Sequence, residues 1–330
     1  MSKGTIIPVA SGKGGVGKSF LTANLAIALA EKRHHTLVVD LDLGGSNLHS
    51  FLGLSNRHPG IGDYLKKRVS TLEDLIVPTG IANLEFIAGQ GRTPFLANAP
   101  YAQKMRLIRS LQRLQARYIF LDLGAGTSFN TLDFFRMVPR GLMITTPDNP
   151  SIMGMLGFLK HCCLRILVRS AGMNPPVREC LESLFSRPVG ENAPLTATSI
   201  LEAVQEVDPE AVKAMARSLE TLRPRIIMNM GLHPDELRLA SGIDRGLKNI
   251  LSLEVDHFGF VPEDPRVRES VREGKRYLPE NRERTAAVAV EKIAERILRY
   301  WDRTIPESAR RIHAHALTLF SSPAEAPMAR

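Results

Sequence analysis

The sequence predicts a doubly wound, mostly parallel α/β sheet of about seven to eight strands with helices on both faces. Three observations predict it. A glycine-rich loop, Ser11-Gly12-Lys13-Gly14-Gly15-Val16-Gly17-Lys18-Ser19, lies between a short apolar run and an amphipathic run, the order strand, turn, helix. Further apolar runs of strand length alternate with helical patterns along the chain. Two of those runs deliver aspartates, Asp40 with Asp42 and then Asp122, at the strand ends where open α/β sheets place their ligands.

Thr5–Ala10 reads as the first strand, buried on both faces, with Pro8 awkward in it because proline removes a ladder donor. In the loop that follows, glycines let successive N–H groups turn inward as an anion nest, and the next helix adds unpaired donors. Lys18 is placed to reach β- and γ-phosphates and the Ser19 hydroxyl to ligate Mg²⁺. A flexible turn with a chance lysine is the competing reading. A helix from Lys18 to about Lys32 packs through Leu21, Leu25, Ala28 and Leu29.

Thr36–Leu41 is the second strand, and the loop from Leu43 to Leu48 stands where a switch would. The plainer reading of Asp40 and Asp42 is a pair of turn-capping aspartates. Short helices are expected from Gly60 to about Lys67 and over Thr71–Leu75, then a strand at Leu84–Ile87 ended by Gly89 and Gly91. Tyr101–Arg117 is amphipathic, with Leu107, Ile108, Leu111 and Leu114 on one face, Arg106, Arg109, Arg113 and Arg117 elsewhere, and no acid. That stripe suits DNA or anionic lipid, or is simply a solvated face.

Tyr118–Asp122 is the fourth strand, with Asp122 placed to contact Mg²⁺ directly or through water, and Gly124-Ala125-Gly126 as a second switch. Arg140–Thr145 follows, then an apolar helix from Ile152 to about Val168 with Cys162 and Cys163 as core residues. Residues 169–223 are proline-punctuated, with helical patterns near Val177–Phe185 and Glu210–Leu222. Arg225–Met230 is a strand carrying Asn229, Pro234–Ile250 a helix, Leu253–Phe260 the last strand and Arg284–Tyr300 the closing helix. Residues 1–305 are thus expected to form one domain, and 306–330 a tail. In the tail Ile312, Ala316, Leu319 and Phe320 share a helical face while Arg310 and Arg311 lie off it. Such a tail suits an anionic membrane surface, disorder or docking on a partner; all three stay open.

With 44% apolar residues in 330, a large core is expected, and a charge of +9 favours an anionic partner. Three cysteines without metal-ligand spacing, and no secretory pattern in residues 1–10, suit a reducing cytoplasm. No apolar run is read as reaching the ~18–20 residues of a membrane span.

The loop's second lysine, Lys13, is superfluous for binding a phosphate within one subunit. Lys-Gly-Gly-x-Gly-Lys-Ser resembles the deviant Walker A motif of the MinD/ParA family of P-loop ATPases. Far down the chain, Gly259-Phe260-Val261-Pro262-Glu263-Asp264 and Val267 resemble that family's Gly-x-Ile-Pro-Glu-Asp-x-x-Val. Val39–Gly44 with Asn47 looks like the same stretch in MinD and FlhG proteins, and Gly-Ala-Gly after Asp122 is closer to the FlhG branch, the branch the whole chain resembles most. Over residues 169–223 the resemblance fails, which implies that they are a mainly helical insertion.

The resemblance implies ATP/ADP and Mg²⁺ as ligands, held by Gly12, Lys13, Gly14, Gly15, Val16, Gly17, Lys18, Ser19 and Phe20, with Asn229, Pro262 and Glu263 at the adenine. It implies catalytic roles for Lys13, reaching the partner subunit's nucleotide, for Lys18, and for Asp42, orienting the attacking water. Ser19, Asp40 and Asp122 would hold the metal, Asp40 through a water. A homodimer when ATP-bound, slow hydrolysis stimulated by an activating protein, and positioning of a division site, flagellum or pole follow from the same resemblance. Localisation would be cytoplasmic with reversible peripheral attachment to the membrane's inner face through 306–320. The alternative is a ParA-like ATPase that binds DNA non-specifically for partitioning. Cys162, Cys163 and Cys180 lie away from the switches, against an iron–sulfur electron-donor role.

Overall fold

The computed structural model describes residues 4–45, 47–89, 100–172, 174–186 and 196–321. Ser46, Gly91 and the end of the tail, 322–330, expected above as parts of a loop, a strand end and a tail, lie outside the described residues.

Eight strands form one sheet: β1 (Thr5–Ser11), β2 (Thr36–Leu41), β3 (Val77–Pro78), β4 (Leu84–Ile87), β5 (Tyr118–Leu123), β6 (Leu142–Thr145), β7 (Arg225–Gly231) and β8 (Asp256–Pro262). Their order is β3-β4-β2-β5-β1-β6-β7-β8, every neighbouring pair parallel except the two-residue edge strand β3. β3 has no apolar run of its own and lay below what periodicity can show. The helices are α1 (Lys18–Glu31), α2 (Leu48–Phe51), α3 (Ile61–Leu65), α4 (Tyr101–Leu111), α5 (Phe129–Phe135), α6 (Asn149–Ser170) and α7 (Pro175–Phe185). They continue as α8 (Ala197–Gln205), α9 (Pro209–Glu220), α10 (Ala240–Leu251), α11 (Pro265–Arg272), α12 (Tyr277–Glu280), α13 (Thr285–Tyr300) and α14 (Ser308–Ser321).

Register brings the strand-end acids together. Asp40 on β2 stands opposite Asp122 on β5, and Asp122 opposite Val9 on β1, two residues before the glycine loop begins at Ser11. Pro8 is tolerated because of where its nitrogen points. The Thr5 N–H donates to Arg117 O on the β5 side (2.9 Å), so with alternating direction the Pro8 nitrogen faces β6. Pairing with β6 begins only at Val9 opposite Leu142, so no ladder bond is lost.

Helix α1 is buried on nearly every side, more than the expected stripe, because it lies between the sheet and α13. Helix α6 corrects the expectation about apolar runs: an 18-residue window of its 22 residues reaches a mean hydropathy of 1.5, enough by length and composition to cross a membrane. Half of it is buried inside the fold, where Phe158 meets Phe135 edge-on at 5.2 Å beside the fully buried Cys162 and Cys163. Burial pushes the Cys163 thiol up to about 12. The described residues of the segment expected as an insertion form three helices, α7 to α9, whose Val177, Leu181, Ile200, Val204, Met215 and Leu219 join the core of α6.

The described part of the tail carries a helix, α14, and its apolar face is covered by the domain. Ile312, Ala316 and Phe320 pack on Met228, Leu237 and Phe260 in the last two strands and the turn after β7. The Phe260 and Phe320 rings lie 5.9 Å apart. In this arrangement the face that suits a membrane is docked on its own chain.

Candidate functional site

The loop between β1 and α1 converges on Asp122. The Lys18 ammonium lies 2.8 Å from Asp122 Oδ1, and the Ser19 hydroxyl donates to Oδ2 at 2.6 Å. Thr22 Oγ1, one turn along α1 from Lys18, lies 3.1 Å from Asp122 Oδ1 and 3.0 Å from Lys18 O. Lys18 and Asp122 are both buried, so each charge needs the other. Thr22 was missed in the sequence, although its position four residues after Lys18 was a readable signal.

Asp40 and Asp42 organise the loop beyond β2. Asp40 accepts from the N–H groups of Asp42 (3.0 Å) and Leu48 (3.3 Å), spanning the loop from both ends. Asp42 Oδ1 accepts from Gly45 N–H at 3.0 Å and, more weakly, Gly44 N–H at 3.4 Å. A Cβ at Gly124 would lie 3.4 Å from that same oxygen, so the two expected switches face each other through Asp42.

Asn229 donates its amide to Val16 O at 2.9 Å, tying β7 to the loop. The bulge at Met230, with φ of 56°, interrupts the β7–β8 register beside it. Gly17 has φ of 82°, and a Cβ there would come within 2.2 Å of the Asn229 amide. Only glycine combines that backbone with that approach.

Residues far apart in sequence line one cavity of 580 Å³: Gly14, Gly15, Gly17, Lys18, Ser19 and Phe20 from the loop, Asp42, then Asn229, Pro262 and Glu263. Gly12, Val16, Asp40 and Asp122 stand behind these residues. Lys13 is exposed beside the start of α6, where its charge helps the Thr146 hydroxyl and the Ser151 N–H hold the Asp148 carboxyl below its usual range. The loop after β8 is braced by residues the sequence did not single out as a network. Asp264 Oδ2 accepts from Tyr277 Oη and Arg284 Nε, both at 2.5 Å, and Oδ1 from Arg266 N–H at 2.9 Å. Burial raises the Asp264 carboxyl, but Arg284, Tyr277 and that N–H outweigh it and hold the group below its usual value.

Among the described residues no group of three or more His, Cys, Asp or Glu could hold a metal alone. Ser19 and Asp122 nevertheless fit Mg²⁺ chemistry, in which one or two protein oxygens are completed by phosphate oxygens and water.

The basic stripe on α4 is smaller than it reads. The helix ends at Leu111, and Lys104 is buried against Asp133, which also accepts from Arg136 (3.0 Å) and Arg165 (2.7 and 2.8 Å). Arg106 lies over the Tyr64 ring at 4.4 Å.

A glycine loop between a central strand and its helix, with a buried aspartate from the neighbouring strand on its lysine, defines a phosphate-loop nucleotide-binding fold. The chain belongs to the CobQ/CobB/MinD/ParA nucleotide binding domain family, which it matches over residues 7–277. It is 33% identical over 148 residues to the septum site-determining protein MinD of Helicobacter pylori, covering 44% of this chain and 54% of that one. To the flagellum site-determining protein YlxH of the same organism it is 30% identical over 160 residues, 47% of this chain and 52% of that one. The match thus spans about half the length of these relatives. The fold is that of MinD from Pyrococcus horikoshii, solved with Mg-ADP: TM-score 0.57 and 22% identity, over 89% of this chain and 96% of that one.

Proposed function

We propose that this protein is an ATP-driven switch: it dimerises on ATP, hydrolyses it slowly, and through membrane or partner binding positions or regulates a cellular structure. The observation that carries the reading is the convergence of Lys18 and Ser19 on Asp122 in a cavity shared with Asn229, Pro262 and Glu263. A triphosphate in the loop would draw Lys18 toward the β- and γ-phosphates, and Mg²⁺, when bound, would offset their charge against Asp122.

The chain's own residues then divide the work. Glycine N–H groups of the loop hold phosphate oxygens, and Ser19 and Asp122 hold the cation. Asp40 fixes the loop that carries Asp42 and would hold a water of the metal's shell. Asp42 would turn from its glycine N–H groups toward the attacking water. Asn229 keeps β7 against the loop, and Asn229, Pro262 and Glu263 would hold the adenine. Lys13, exposed and outside the cavity wall, is placed to act on the nucleotide of a second copy.

The test is ATP binding titrated with Mg²⁺. Wild type should bind more tightly with the cation, and Ser19→Ala and Asp122→Ala should each lose that gain. Affinity in both variants that still rises with Mg²⁺ as in wild type would remove the assignment.

A further inference from the structure

Away from the nucleotide cavity, a groove of 1030 Å³ runs between the starts of α4 and α5, the second half of α6 and the end of α7. Its apolar lining is Tyr101, Phe129, Leu132, Leu164, Val168 and Phe185. Tyr101 and Phe129 are 60% and 70% exposed, far more than single large apolar side chains need be. Its volume sits at the upper end of the ~300–1,000 Å³ of small-molecule pockets. One wall is formed by His161, Leu164, Arg165 and Val168, spaced i, i+3, i+4 and i+7 on α6, a seam of about 10 Å along which a second helix packs. The opposite face of α6 is already buried in the core.

We propose that this groove is a docking site for an acidic amphipathic helix of a partner protein, its apolar side chains seated between Phe129, Val168 and Phe185 and its carboxylates on Arg169 and Arg178. Charge selects that occupant. Among the described residues the lining holds Arg165, Arg169, Arg178 and His161 and no carboxylate, and Asp133 behind Arg165 is shared among three cations. A second copy docked by two-fold symmetry would set these arginines against themselves. A stacked nucleic acid base is disfavoured because the Arg165 guanidinium is held on Asp133 and already covers the Phe129 ring at 4.7 Å. Helix α5 begins at Phe129, three residues after Gly126 in the turn whose Gly124 faces Asp42, so an occupant on Phe129 holds the helix into which that turn leads. That last link rests on the ATPase reading; the docking itself does not.

The experiment is fluorescence anisotropy on the full chain without nucleotide. The probe is a labelled synthetic helix of about 18 residues, about 27 Å long, with leucines and phenylalanines on one face and glutamates elsewhere. Controls are its lysine-for-glutamate twin and a single-stranded thymidine oligonucleotide. Acidic peptide binding that weakens with salt, and that Val168→Glu and Arg178→Glu each reduce by about tenfold or more, supports the proposal. Equal binding of both peptides, binding of neither, or affinity untouched by both variants overturns it. Oligonucleotide binding lost in Arg178→Glu without acidic peptide binding also overturns it, in favour of nucleic acid. Both substitutions lie outside the nucleotide cavity, so ATP binding measured in parallel separates failure of docking from failure of the ATPase reading.

Discussion

Gly12 and Gly154 meet backbone to backbone, locking the start of the phosphate loop onto the first turns of α6. A Cβ at Gly12 would stand 2.0 Å from the Gly154 carbonyl carbon and oxygen, whereas one at Gly154 would stand 3.3 Å from the same atoms of Gly12. The contact is asymmetric, and backbone on the receiving side cannot rotate away as a side chain can. Gly12→Ala should therefore cost at least the ~1–3 kcal/mol of an overpacked core and displace the loop, while Gly154→Ala costs less. Thermal unfolding and ATP affinity of the two variants check this; equal effects would mean that the contact is looser than it stands here.

Asp133 sets a stability limit on the acid side. Burial raises its carboxyl, but Arg165, Lys104 and Arg136 overcome that and hold it well below the usual 3.8. A carboxyl depressed on folding stabilises the native state above its unfolded value and loses that contribution as pH falls through its folded value. Asp133→Asn leaves three cations facing an amide and should cost roughly 3–5 kcal/mol near neutral pH. The gap from wild type should begin to close only below about pH 4, where the carboxyl of the unfolded chain takes up a proton while the folded one stays ionised. Denaturant titrations from pH 7 to pH 3 read this directly, and a gap independent of pH would assign the loss to packing instead.

The tail should be the first part of the sheet's periphery to open. Ile312 is buried at the centre of a small satellite core of Met228, Leu237, Phe260 and Ala316. Ile312→Ala should weaken docking of α14 by roughly 2–5 kcal/mol and speed hydrogen exchange in α14 ahead of the central strands. If lipid binding uses this face, the same variant should bind anionic vesicles more readily than wild type. Vesicle binding unchanged in the variant would place any lipid contact elsewhere.

Residues whose meaning is local were legible in the sequence. The glycine loop and the strand-end aspartates carry their chemistry in their spacing, the Pro-Glu-Asp stretch is legible through the family resemblance, and the fold brings Lys18, Asn229 and Glu263 to one cavity with Asp122 on Lys18. What escaped depends on a partner distant in the chain. Lys104 reads as one more surface cation on a basic helix until Asp133, 29 residues on, is folded beneath it. Pro8 reads as an obstacle until the late start of β6 shows which side its nitrogen faces. The helix at 308–321 shows its amphipathic pattern plainly, but no periodicity says whether that face meets lipid, a partner or Phe260.

Lys13, exposed beside Gly154, carries the largest consequence of the proposed reading, in which it serves the nucleotide of a second copy. Sedimentation velocity with Mg²⁺ and ATP on Asp42→Ala, with and without Lys13→Ala, tests that consequence most directly. Asp42→Ala should hold ATP unhydrolysed and sediment as a dimer, and adding Lys13→Ala should return it to a monomer that still binds ATP. Dimers that persist without the Lys13 ammonium, or an Asp42→Ala protein that stays monomeric with ATP bound, would contradict the account.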